Sequence, residues 1–256
     1  DGTYSATLTS GTTAGDATVT GTIDGETVVD DATVTFTPGP ASAANTTLTA
    51  APLSITADGV TTSTVTVQAI DANGNALTSG GDTVVLATTA GTLSNVTDNG
   101  DGTYSATLTS STTAETATIT GTLDGTDITD SASVEFVPGD ASAATSTITA
   151  TPSSITADGV SNTTITVQAK DANGNNLTTG GDTIALSSNA GTLSNFADNG
   201  DGTYTALLTS STAKGTATVS GTLNAASITD SASVAFVAGP ATAANTTITA
   251  SPSPIT

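Results

Sequence analysis

The sequence predicts an all-β chain of tandem antiparallel sandwiches, on three observations: a 100-residue repeat, a hydrophobic period of two inside each repeat, and turn residues between the alternating runs. The repeat comes first, because it defines the unit to be folded. DGTY begins at Asp1, Asp101 and Asp201, ITADGV recurs at 55 and 155, DANGN at 71 and 171, and AGTLSN at 90 and 190, without insertion or deletion. Roughly two-thirds of the positions in 41–140 are identical in 141–240. A unit of about 100 residues can close its own core, unlike solenoid units of about 20 to 45 residues.

Within 40–139 the elements are read in order. Val65, Val67 and Ala69 alternate with Thr66 and Gln68; Val84 and Leu86 follow; then Tyr104, Ala106 and Leu108; Ala117, Ile119 and Leu123; and Ala132, Val134 and Phe136. Thr fills many of the outward positions, where a β-branched but wettable side chain suits a pleated surface. The runs are punctuated by Asp58-Gly59, Asp71 to Asn75, Gly80-Gly81, Asn99 to Gly102 and Asp124-Gly125, residues that supply positive φ or side-chain turn bonds. About seven short strands with such turns predict an immunoglobulin-like sandwich of two antiparallel sheets. Val65, Val67, Val84, Leu86, Tyr104, Leu108, Ile119, Val134 and Phe136 are its expected inward residues. Tyr104 and Tyr204 are read as core or corner tyrosines. Helix is expected to be nearly absent.

The domains are therefore read as 40–139 and 140–239, preceded by 1–39, the C-terminal part of a repeat, and followed by 240–256, the opening strand region of the next. The joints FTPGP (36–40), FVPGD (136–140) and FVAGP (236–240) hold Pro or Gly but no long spacer, which predicts a semi-rigid rod rising roughly 30 to 45 Å per repeat. Since 1–39 and 240–256 each hold only part of a sandwich, the chain is expected to continue on both sides with further copies of the repeat, and any targeting segment to lie outside these residues.

Composition narrows the function. Two basic residues, Lys170 and Lys214, stand against 23 acidic ones, for a net charge of -21, which disfavours nucleic acid and anionic membranes as partners. No apolar run is long enough to span a bilayer, so no direct membrane insertion is expected of this segment. There is no Cys, Met, Trp or His, which removes disulfides, thiolate nucleophiles, imidazole bases and the usual zinc or haem ligands. A Lys–Asn isopeptide staple in every repeat is also excluded, because 41–140 has no Lys. No enzyme is expected, and no catalytic or cofactor-binding residue is assigned.

The ordered set ITADGV, TVTVQA, DANGN, GGDTV, AGTLSN, DNGDGTYSATLTS, ATITG and SASVEFVPG resembles the bacterial immunoglobulin-like domains of the invasin and intimin type, and the resemblance covers the whole chain. It implies a stalk module that projects a distal binding domain from the bacterial cell surface. DNGDGTY is also similar to a hairpin of filamin repeats, which supports the fold alone. The expected function is thus a structural stalk or fibre segment of an extracellular adhesin. A self-assembling surface filament, sheath or S-layer component with lateral self-association is one alternative, and a calcium- or carbohydrate-binding repeat another.

Candidate cation ligands are Asp71, Asn73, Asn75, Asp98 and Asp101, with Asp171, Asn173, Asn175, Asp198 and Asp201 in the second copy. DANGN places oxygens at alternate positions, as a calcium loop requires, and DNGD adds two carboxylates. The EF-hand pattern is not met: Gly74 stands fourth where that loop has it sixth, and Asp82 stands where it has Glu. No cofactor is assigned, calcium being the one considered, and plain β-turns are the reading that the frequency of Asn-Gly and Asp-Gly in hairpins favours.

Overall fold

The decapeptide DGTYSATLTS occurs at 1–10 and again at 101–110. In the computed structural model, which describes residues 1–249 and 251, the second copy contains the strand Thr103–Thr109 and the first contains no strand. Strand Thr103–Thr109 is held by Thr62–Gln68 on one side and by Thr97–Asp98 and Thr92–Leu93 on the other. Residues 1–10 have no counterpart of those partners in this sequence. Tyr4 is accordingly 93% exposed and Tyr104 1%. Strand propensity here is realised only where a ladder and a core receive it.

Two compact units result, Asp1–Val137 and Pro138–Thr256. In the first, one sheet runs in the order Thr47–Ala51, Thr62–Gln68, Thr103–Thr109 and Thr97–Asp98, with Thr92–Leu93 also on Thr103–Thr109. The other runs Ser54–Thr56, Ala132–Val137, Glu115–Leu123, and Glu115–Leu123 also carries Val84–Thr88 and the short return strand Thr126–Asp127. The chain passes from the first sheet to the second through the cis peptide Ala51–Pro52. One pairing departs from the expected antiparallel scheme. Ser54–Thr56 runs parallel to Ala132–Val137, in register Ile55↔Phe136. A strand that changes sheets right after pairing with Thr62–Gln68 reaches the second sheet with its direction already set, and there it meets the last strand head to head.

The predicted inward residues form this core. Val65, Val67, Leu108, Ile119 and Val134 are fully buried, Tyr104 and Phe136 nearly so, and Leu86 packs against the cluster while partly exposed. Ala57, Ala69 and Ala117 fill the close approaches between the larger side chains. In the second unit Ile165, Val167, Leu208, Val219, Val234 and Phe236 occupy the equivalent places, and the parallel pair recurs as Ser154–Thr156 against Ala232–Val237.

Residues 1–39 contribute the antiparallel pair Gly15–Val19 and Ala32–Phe36, with the small hairpin Thr22–Ile23 and Glu26–Thr27. From 240 to 249 no strand forms, and a single 3-10 turn covers Ala243–Asn245. The expected opening strand would include residues 247–251, the counterpart of Thr47–Ala51, but the partner of that strand has no counterpart in this sequence. Residues 250 and 252–256 lie outside the described residues. Among the described residues no helix is long and apolar enough to cross a membrane.

Candidate functional site

The DANGN turn is built around a buried carboxylate. Asp71 is 1% exposed. Its Oδ1 accepts the Asn73 N–H at 2.9 Å and the Asn75 N–H at 2.8 Å; its Oδ2 accepts the Asn75 side-chain amide at 2.8 Å and the Gly39 N–H at 2.8 Å. The turn is closed by Asp71 N–H to the Asn75 carbonyl at 2.9 Å, while Asn45 donates to the Asp71 carbonyl at 2.8 Å. The Asn75 amide, Gly39 N–H and Asn75 N–H together outweigh desolvation and hold the Asp71 carboxyl down to about 2. In the second unit burial pushes Asp171 up, but the Asn175 amide and the Gly139 and Asn175 N–H groups override it, and the net shift is downward. Thr145 takes the place of Asn45, donating to the Asp171 carbonyl at 2.6 Å.

The DNGD turn is more exposed and is anchored separately. Asp98 Oδ1 accepts the Gly100 N–H at 2.8 Å and its Oδ2 the Gly81 N–H at 2.9 Å. A Cβ at position 80 would overlap the Asp98 carboxylate, so the GGD sequence leaves room for that carboxylate and then donates to it. Asp101 accepts both the N–H and the hydroxyl of Thr103, which lowers its pKa. Asp198 and Asp201 repeat these bonds with Gly181, Gly200 and Thr203. The Asp71, Asp98 and Asp101 carboxylates, proposed from sequence as calcium ligands, thus accept N–H and O–H donors of their own turns and of nearby chain. Among the described residues no three His, Cys, Asp or Glu groups stand together as a metal site.

Tyr104 lies in the core, as expected, but does not make a corner bond to nearby upstream backbone. Its hydroxyl accepts the Asp82 N–H at 2.9 Å and donates to Asp82 Oδ2 at 3.3 Å, tying its strand to a connection 22 residues upstream. Burial raises its pKa.

Three further polar residues, Asp58, Asp130 and Gln68, organise the first full repeat by bonds that the sequence did not announce. Asp58 accepts the Val60 and Thr61 N–H groups, the Thr61 hydroxyl and the Ser110 hydroxyl, which together push it far below the ordinary carboxylate range. Asp130 accepts the Leu48 N–H at 2.8 Å from 82 residues away. Gln68, near the end of TVTVQA, donates to the Ala69, Leu77 and Gly102 carbonyls at 3.0, 3.3 and 3.1 Å, joining the chain after DANGN to the DGTY hairpin. The Asp-Gly pair at 58–59 carried a turn signal; Asp130 and Gln68 carried none, because their partners are distant in sequence.

A cleft of about 280 Å³ in the second unit is lined by Ile184, Leu186, Phe196, Asp198 and Tyr204, with Phe196 57% exposed where the first copy has Val96. A more polar cleft of about 400 Å³ in the first unit lies between residues 10–14, Gly39 and the DANGN turn.

The family model described as "Invasin, domain 3" matches residues 42–139 and again 142–239. Among solved structures, FdeC, an adhesin of Escherichia coli, is 32% identical with a TM-score of 0.61 over 80% of this chain and 67% of that one. InvD of Yersinia pseudotuberculosis is 32% identical with a TM-score of 0.56 over 80% of this chain and 61% of that one. Invasin, a bacterial integrin-binding protein, is 30% identical with a TM-score of 0.57 over 88% of this chain and 46% of that one. The chain therefore spans between about half and two-thirds of these three solved chains. With two matches to the family in tandem, on sandwiches whose buried positions recur 100 residues apart, this chain belongs to the invasin domain 3 family of bacterial immunoglobulin-like adhesin domains.

Proposed function

We propose that this chain is a non-catalytic spacer segment of a bacterial extracellular adhesin, in which successive sandwiches hold a binding part away from the cell surface. The observation that carries the reading is the way each repeat uses its polar groups. The carboxylates that could have presented a binding site, Asp58, Asp71, Asp98 and Asp101, accept the repeat's own backbone and hydroxyl donors, and the same pattern returns 100 residues later. Such repetition suits length. The adhesin FdeC and the integrin-binding protein invasin, both similar to this chain, support the extracellular assignment.

An in-frame deletion of 140–239 from the native protein tests this directly. A spacer predicts that cells still adhere while the binding part sits closer to the surface by one repeat. Complete loss of adhesion by a folded, surface-displayed deletion protein would assign binding to the repeat itself.

A further inference from the structure

The Asn75 amide reaches beyond its own repeat. Its Nδ2 donates to the Thr12 carbonyl at 2.8 Å, and its Oδ1 accepts the Ala14 N–H at 2.9 Å. A primary amide carries a donor and an acceptor on one group, so the Asn75 side chain bonds the carbonyl at the start of the Thr12–Thr13 bend and the N–H just after it. The second Nδ2 hydrogen goes to Asp71 Oδ2, which also accepts the Gly39 N–H in the linker, so one carboxylate fixes the linker and orients the amide.

We infer that the DANGN turn is the docking surface for the 10–14 loop of the preceding repeat, with Asn75 as the residue that locks the joint and Asp71 as the residue that positions it. Charge explains why an amide is used. No Lys or Arg occurs in residues 1–139, so an ion pair between side chains is not available there, and a carboxylate could accept from Ala14 but could not donate to Thr12. A neutral two-point bond is also little affected by salt. The linker half of the arrangement recurs in the second unit, where Asp171 Oδ2 accepts the Gly139 N–H at 3.0 Å and the Asn175 amide at 2.8 Å. The inference stands apart from the spacer reading, since a locked joint would serve a filament as well as a stalk.

The absence of Cys allows a direct test on the whole chain. Spin labels are placed through Thr18→Cys and Thr49→Cys, both exposed strand positions on the two sides of the joint, and the distance distribution is measured by pulsed dipolar spectroscopy. The unsubstituted joint should give one narrow population. Asn75→Ala should at least double its width with the circular dichroism unchanged. The near-isosteric Asn75→Asp, which keeps the acceptor and loses the donor, should broaden it as well. Asn73→Ala, at an exposed turn position, should leave it narrow. An Asn75→Ala or Asn75→Asp distribution as narrow as the parent, a parent already broad, or equal broadening by Asn73→Ala would overturn the assignment.

Discussion

Asp58 and Asp71 show how carboxylates stabilise a chain that has almost no cations to pair them with. Both are held below the ordinary carboxylate range by hydrogen bonds, Asp58 chiefly from the Thr61 hydroxyl and N–H, Asp71 chiefly from the Asn75 amide. A depressed folded pKa means that the unfolded chain takes up protons first, near pH 4, so the stabilisation is present above that point and lost as pH falls toward about 2. We expect melting temperature to hold to about pH 4 and then drop. Combining Asp58→Asn, Asp71→Asn, Asp158→Asn and Asp171→Asn should flatten that acid limb, and an unchanged limb would show that other groups cause it. Tyr104 gives a second test at this scale. Tyr104→Phe removes the acceptor of the Asp82 N–H and should cost about 1 kcal/mol in chemical denaturation, with the core left intact. Much of this site was legible as turns, since DANGN and DNGD announce them. What stayed hidden was which donors close over the carboxylates, because Gly39 meets Asp71 from 32 residues away and no local spacing encodes that meeting.

At the scale of elements, alternation named the strands that have two partners and a buried face, such as Thr62–Gln68 and Thr103–Thr109. It was silent on Ser54–Thr56, which is three residues long and too short to show a period, and so its parallel pairing was not foreseen. The DGTY hairpin separates two roles of glycine. Gly100 and Gly102 both have positive φ, +79° and +84°, but a Cβ at Gly100 meets open space whereas one at Gly102 would overlap the Leu77 carbonyl. Gly100→Ala should therefore cost about 1 kcal/mol for backbone conformation alone, and Gly102→Ala at least about twice that, since the clash adds to it. Equal costs in urea denaturation would mean that the connection through Leu77 can move aside, contrary to its anchoring by Gln68.

The whole chain carries its -21 charge on sandwiches whose cores are small and largely aliphatic, and residues 41–140 hold eleven acidic and no basic residues. Screening of that self-repulsion should raise the melting temperature with monovalent salt. With the Asp71 and Asp98 oxygens already engaged by N–H donors, Ca2+ should raise it no more than Mg2+ at matched ionic strength. A large Ca2+-specific rise abolished by Asp71→Ala would return the turn to the calcium reading. Each core is closed by the residues of its own repeat, so each repeat should unfold by itself. Pulling the chain by its ends in a single-molecule force experiment reads this out. Two separate unfolding events are expected for 40–139 and 140–239, each releasing the contour length of about 100 residues, roughly 330 to 360 Å less the folded span. A single event releasing both repeats together, or gradual extension without discrete steps, would contradict it.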